Sequence, residues 1–306
     1  MEAIMRNAFL FLSKNRLANR TAKKYGLRFG AKRFVAGEQI SEAITTVKQL
    51  NDRGIVATLD HLGEFISTKE EAAESAQYCI RTLNEIAAHQ VTSNLSVKLT
   101  QLGLDISPQL CMDHMRAILD TARRHNNFVR IDMEDYARNE TSIDIFNQLR
   151  EEFGSTVGLV IQAYLYKSSE DIEHLNRYKP NLRLVKGAYK ESPQVAYPNK
   201  VDVDRNFIHI IEQHLANGNY AAIATHDDHI IDHVKQIAKT HNIPRTQFEF
   251  QMLYGIRTQA QQQLADEGYT MRVYVPYGND WYGYFMRRLA ERPANVGFVL
   301  KSMFKA

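Results

Sequence analysis

The stretch Leu182-Arg183-Leu184-Val185-Lys186-Gly187-Ala188-Tyr189 sets two cations and a glycine into a short apolar run. If the run is a buried strand, each unpaired charge costs several kcal/mol, so an anion or polar ligand is expected to meet Arg183 and Lys186. Gly187 lets a bulky group approach the backbone. Other polar residues close similar runs: Asp60-His61, Lys98, Asp132-Met133-Glu134, Gln162 and Thr225-His226, with Gln251 and Tyr274 in two more. Cations facing carboxylates in this way suit two chemistries. A buried lysine with a lowered pKa can form a Schiff base. Alternatively, the cations hold a phosphate or carboxylate while a bound cofactor carries the reaction. His226, Asp227, Asp228 and His229 are adjacent, but successive side chains at a strand-to-helix turn diverge, so no metal site is expected there.

Near the C-terminus, Tyr284, Arg287, Arg288 and Glu291 recur at spacings of three and four, on one face of a helix. Adjacent guanidiniums beside a tyrosine form a fork for a carboxylate.

These groups need elements to position them. Runs rich in Val, Ile and Leu predict strands over 55–60, 95–100, 128–133, 157–163, 182–189, 221–226, 248–253 and 271–276. Apolar spacings of three and four predict helices between them, among them 40–53, 68–89, one opening at Ser107-Pro108, and a last one from about Asp280. This alternation predicts an α/β fold, a (β/α)8 TIM-like barrel over 40–306 with an extra N-terminal helical segment over 1–39. An open doubly wound sheet would need G-x-G-x-x-G after its first strand, which is absent. In a barrel the C-terminal strand ends carry the active site, and the polar residues stand there. The connection 190–200, with Pro193 and Pro198, is a candidate lid.

Composition narrows the class. At 44% hydrophobic and 24% charged, the 306 residues are globular in type, and a net charge of +3 gives no argument for nucleic acid. Cys79 and Cys111 make no metal or redox spacing and read as reduced thiols. No apolar run approaches a membrane span. The first 33 residues carry Arg6, Lys14, Arg16, Arg20, Lys23, Lys24, Arg28, Lys32 and Arg33 against the single acid Glu2. That balance suits an organellar transit segment, a basic helix on an anionic membrane surface, or a solvated helix packed by its apolar side.

Taken in order, the motifs resemble proline dehydrogenase, in its short monofunctional bacterial form. They are Val97-Lys98, Arg130-Ile131-Asp132-Met133-Glu134, Gln162-Ala163-Tyr164, Arg183 to Tyr189, and Ala224-Thr225-His226. Phe250 to Gly255, Arg272 to Gly278 and Tyr284 to Glu291 complete the set. The resemblance implies a distorted barrel with FAD across its C-terminal face and the last helix over its mouth. It implies flavin contacts from Met133, Gln162, Arg183, Val185, Lys186, Gly187, Ala188, Thr225, His226 and Glu291. Lys98, Arg287 and Arg288 would hold the carboxylate of L-proline, and Tyr274, Tyr284 and Leu253 would wall its ring. Asp132 and Arg183 would be the active-site pair. It further implies a quinone as electron acceptor and a cytoplasmic protein with peripheral contact at the inner face of the membrane. Rival readings are another flavin barrel, such as a methylenetetrahydrofolate reductase, a Schiff-base aldolase on Lys186 or Lys98, and a catalytically dead binding protein.

Overall fold

Short apolar runs, each followed by an amphipathic stretch, pair in parallel only through crossover helices. The computed structural model, which describes Phe9, residues 31–63 and residues 66–291, has eight such strands closed into one parallel barrel in sequence order. Helix α1 (Ile40–Asn51) leads into β1 (Val56–His61), α2 (Lys69–Ala88), β2 (Ser93–Lys98), α3 (Pro108–Arg124) and β3 (Val129–Asp132). Next come α4 (Asn139–Phe153), β4 (Val157–Gln162), α5 (Ser168–Leu175), β5 (Leu182–Val185) and α6 (Lys200–Ala216). The circuit ends with β6 (Ala221–Ala224), α7 (Asp228–Thr240), β7 (Phe248–Leu253), α8 (Thr258–Asp266), β8 (Met271–Tyr277) and α9 (Trp281–Glu291). Pairing of β1 with both β2 and β8 leaves no open edge.

Local chemistry sets the helix starts. Thr68 and Glu71 form a capping box on α2, and Ser107 accepts from the Leu110 N–H ahead of Pro108 on α3. Asp227 caps α7 through the His229 N–H. The same signals shorten predicted strands. The run expected over 182–189 ends at Val185, because Gly187 takes φ +109 and turns the chain. The one expected over 221–226 ends at Ala224, where the Thr225 hydroxyl accepts from the Asp227 N–H. Strand β2 runs two residues earlier than expected, and Thr100 enters a 3-10 turn.

The register decides what faces the barrel axis. Pairs such as Asp60↔Ser96, Lys98↔Asp132, Ser96↔Arg130 and Gln251↔Arg272 put one alternating set on a common inner face. That set includes Thr58, Asp60, Ser96, Lys98, Arg130, Asp132, Arg183, Glu249, Gln251, Arg272 and Tyr274. Barrel interiors are usually filled by bulky branched residues. Here the apolar core lies instead between barrel and helices, where Leu59, Val97, Ile131, Leu159, Leu184, Phe250 and Val275 pack from the outer strand faces.

At the mouth, Ala31, Phe34 and Val35 pack with Leu62 against Trp281, Phe285 and Leu289 of α9. Two backbone bonds tie this segment to the barrel: Ala36 N–H to Pro276 O at 2.9 Å and Gly278 N–H to Gly37 O at 2.9 Å. Gly255 makes the approach feasible, since a Cβ there would meet the Arg33 carbonyl. The basic-helix reading covers residues 1–33; of these only Phe9 and the 3-10 turn Ala31–Arg33 are described, and the rest lie outside the described residues. Among the described residues no helix is long and apolar enough to cross a membrane.

Candidate active site

Strands β1, β2, β3 and β8 converge on one cluster. The Lys98 ammonium donates to both Asp60 oxygens at 3.1 and 3.0 Å and stands 3.7 Å from Asp132 Oδ2. It also donates to the Tyr274 hydroxyl at 3.3 Å, which in turn donates to Asp132 Oδ2 at 2.8 Å. Burial by itself would lower the Lys98 pKa, but Asp60 and then Asp132 reverse it, leaving the ammonium above its usual range. A lysine so held is a poor amine nucleophile, which removes the Schiff-base reading at Lys98. Burial, reinforced by Asp132 and Asp60, pushes Tyr274 well above a free phenol, so it remains a neutral O–H.

Arg183 rises from β5 beside this cluster. Its Nη1 donates to Asp132 Oδ1 at 2.6 Å, its Nη2 to Ser96 Oγ at 3.0 Å and its Nε to Gln251 Oε1 at 2.7 Å. The guanidinium also lies 5.3 Å from the Tyr274 ring. Lys186 turns the other way, to Asp204 of α6 at 2.6 Å and to Asp227 at 2.8 Å. The expectation that an external anion must meet Arg183 and Lys186 is thus corrected: barrel closure brings each of them protein carboxylates. Lys186 takes Asp227 below the usual carboxylate range by direct hydrogen bonding, against a smaller opposing effect of burial.

Above these pairs opens a cavity of about 930 Å³, near the top of the range of roughly 300–1,000 Å³ common for ligand sites. Lys98, Asp132, Met133, Gln162, Arg183, Val185, Lys186, Gly187, Ala188, Thr225, His226, Leu253, Tyr274, Tyr284, Arg287 and Arg288 all line it. Glu291 ends α9, and its side chain lies outside the described residues. The sequence-predicted residues, drawn from seven strands or strand ends and one helix, are in this way brought to one concavity.

Several devices shape the cavity. Gln162 donates to the Glu134 carbonyl at 2.7 Å, while the Glu134 carboxylate takes the Thr100 N–H at 3.0 Å and its hydroxyl at 2.6 Å. His226 Nε2 accepts from the Leu253 N–H at 3.1 Å, so the neutral ring carries its proton on Nδ1. At Gly187 a Cβ would fall 2.2 Å from the Tyr164 ring. Only glycine allows the chain to lie that close there. The following connection, the candidate lid, is pinned to the turn after β4. The Tyr166 hydroxyl donates to Pro193 O at 2.8 Å and the Tyr197 N–H to Tyr164 O at 2.8 Å. From α9, the Arg288 guanidinium lies 5.0 Å from the Tyr284 ring.

Sequence reasoning did not single out Asp60 as the partner of Lys98, nor Asp204 and Asp227 as partners of Lys186. It also passed over Tyr189, which lines the cavity. Burial, then Glu134, raises the Tyr189 phenol to about 12, with Lys98 and Arg287 acting the other way. Asp60 carried a signal, since it stands at a strand end. Asp204 carried none.

Known proteins match this chain along most of its length. The family model described as proline dehydrogenase matches residues 43–301. Proline dehydrogenase 1 of Bacillus subtilis is 54% identical over 302 residues, 99% of this chain and 100% of its own. Proline dehydrogenase of Deinococcus radiodurans is 46% identical over 279 residues, 90% of each chain. The crystal structure of proline utilization A from Bdellovibrio bacteriovorus, inactivated by N-propargylglycine, superposes with a TM-score of 0.81 at 27% identity. That match covers 94% of this chain and 36% of the other.

Proposed function

Because this chain belongs to the proline dehydrogenase family, an enzyme family of proline degradation, we propose that it oxidises L-proline to Δ1-pyrroline-5-carboxylate with FAD as resident cofactor and a membrane quinone as acceptor. The observation that carries the substrate reading is the company the cavity keeps. Arg287 and Arg288 line it beside Lys98, together with the apolar Leu253 and the rings of Tyr274 and Tyr284. Adjacent guanidiniums suit a carboxylate, and the apolar and aromatic walls suit a small saturated ring.

The residues also fit the cofactor. Gly187 lines the cavity without a side chain, its backbone lying against the Tyr164 ring. Val185, Met133 and Ala188 offer apolar surface for a flat ring, with Gln162, Lys186, Thr225 and His226 supplying polar contacts around it. FAD, when bound, would supply a two-electron acceptor for the hydride leaving the proline Cδ. Glu291 and Arg183 are included among its contacts on the strength of the resemblance.

The chain's own residues do the rest. Arg287, Arg288 and Lys98 hold the carboxylate, far from the reacting carbon, and so spend binding energy on orientation. Tyr274, kept neutral, adds a polar edge without a charge beside the amine, which must be unprotonated when the hydride leaves. Asp132 holds Tyr274 and Arg183 in register and balances the positive charge of the floor. The inactivation of the Bdellovibrio protein by N-propargylglycine, itself an amino acid, is in keeping with an amino-acid site. Quinone reduction is consistent with the basic N-terminal composition, which suits a peripheral hold on anionic lipid.

Arg288→Ala tests the substrate reading. It should raise the proline KM by about a hundredfold, the loss of a charge-assisted bidentate contact of roughly 2–3 kcal/mol, while flavin content is unchanged. An unchanged KM removes Arg288 from the carboxylate site.

A further inference from the structure

We propose that Glu249 is a positioning residue for the active site: through Gln251 it fixes the orientation in which the Arg183 guanidinium meets Asp132. The inference rests on the reading of Arg183 and Asp132 as the active-site pair, and concerns a residue below the cavity that touches neither substrate nor cofactor.

Glu249 and Gln251 are two residues apart on β7, both on the inner face. They are 1% and 3% exposed, so water cannot substitute for a missing partner. A glutamine amide is nearly symmetric in shape and can be turned either way by its neighbours. Here both ends are dictated. The Gln251 amide Nε2 donates to Glu249 Oε1, and its Oε1 accepts from Arg183 Nε at 2.7 Å. A carboxylate can only accept and a guanidinium can only donate, so the reversed amide would set donor against donor at Arg183 and acceptor against acceptor at Glu249.

Glu249 is itself held from two further strands or strand starts. Arg272 Nε donates to its Oε1 at 2.8 Å and the Tyr220 hydroxyl to its Oε2 at 3.0 Å. Arg272 is anchored in turn on the Ala57 carbonyl at 2.6 Å. Burial alone would raise the Glu249 pKa, but the Arg272 charge and hydrogen bond, with that from Gln251, take it below the usual range. The acceptor-only state required for orientation is the state the site favours. The network runs without a break from the barrel floor to Asp132 and, through Asp132 Oδ2, to Tyr274.

Why this should matter to Arg183 follows from its donors. Nη1 and Nη2 bind Asp132 and Ser96, both on the β2–β3 side, while Nε binds Gln251 on the β7 side. Remove the Nε bond and the guanidinium is held from one side only, free to swing about its Asp132 contact. A buried ion network replaced by well-packed apolar residues is often as stable or more so, so stability alone is a weak reason for this one.

The test uses the FAD-loaded full chain and a two-by-two set: wild type, Glu249→Gln, Gln251→Met and the double variant. At saturating proline under anaerobic conditions, Glu249→Gln should slow flavin bleaching about tenfold, the equivalent of one net hydrogen bond at a charged group. In the Gln251→Met background the same change should alter the rate by less than about twofold, because the link it acts through is gone. A second readout does not depend on turnover: the Arg183 Nε–H resonance, identified by its loss in Arg183→Lys, should broaden or shift in Glu249→Gln. If Glu249→Gln bleaches at the wild-type rate with that resonance in place, the proposal is wrong. It is also wrong if Glu249→Gln keeps its full effect beside Gln251→Met, which would make Glu249 a counter-ion to Arg272 and no more. Should Glu249→Gln fail to fold, Glu249→Asp keeps the charge near Arg272 but stops short of Gln251, and the same criteria apply to it. Wild type that proline does not bleach would overturn the functional reading instead, and the Arg183 resonance would still decide the positioning role.

Discussion

Replacing Asp60 by Asn keeps the shape of the side chain and removes one charge from the floor of the cavity. Lys98 then loses the carboxylate that takes its ammonium through both oxygens, and its next carboxylate, Asp132, is 3.7 Å away. Breaking a fully buried pair by removing one partner costs about 3–5 kcal/mol; Lys98 is 21% exposed, so solvent screening brings this to about 2–3 kcal/mol. For a chain of this size that is a fall in Tm of about 3–5 °C. The sign of the pH dependence fixes the conditions. Lys98 has a raised pKa in the fold, so its contribution is complete below about pH 10.4, the unfolded value, and fades as the pH climbs through the raised one. Scanning calorimetry near neutral pH therefore sees the whole effect. Lys98→Met strands Asp60 and should cost a similar amount, whereas the double variant should recover to within about 1 kcal/mol of wild type. Asp60→Asn melting within about 1 °C of wild type, or strictly additive losses in the double variant, would refute the pairing argument.

His214 is fully buried with Nε2 on the Tyr220 carbonyl at 3.0 Å, and burial holds its pKa down to about 4. The unfolded ring binds a proton near pH 6.5 and the folded one resists it, so stability should fall by about 2 kcal/mol from about pH 7 to 5. Urea unfolding of His214→Gln, which keeps a donor but cannot titrate, should lack that share of the slope; an equal loss in both proteins would contradict it. Removing residues 1–30, while keeping the 31–35 segment that packs on α9, should abolish co-sedimentation with anionic liposomes if the basic segment docks there. Equal sedimentation of both forms would sink that idea.

The barrel was legible in the sequence because strand and helix periodicities alternate from Val56 to Glu291, and the site because polar residues stand at strand ends. Partners were less legible. Periodicity gives the face on which Lys98 or Arg183 lies, but not that Asp60, 38 residues earlier, or Gln251, 68 residues later, will stand next to it. Barrel closure decides that, by joining β1 to β8 and setting the register. For the same reason Arg183 and Lys186 read as awaiting a ligand, when Asp132, Asp204 and Asp227 already meet them. The polar interior was hidden in plain view: Arg130, Glu249 and Arg272 sit within apolar runs, and only the inner-face register shows that they share one space. Strand ends shifted wherever a cap or a left-handed glycine competed with the extended backbone, as at Thr225 and Gly187.

The central claim is that this cavity carries a flavin which L-proline reduces. The direct measurement is the visible absorption spectrum of the purified protein before and after anaerobic addition of L-proline. The account predicts flavin bands that bleach on proline and return when a quinone is added. Flavin bands untouched by proline would contradict the substrate, and a colourless protein that FAD cannot reconstitute would contradict the account as a whole.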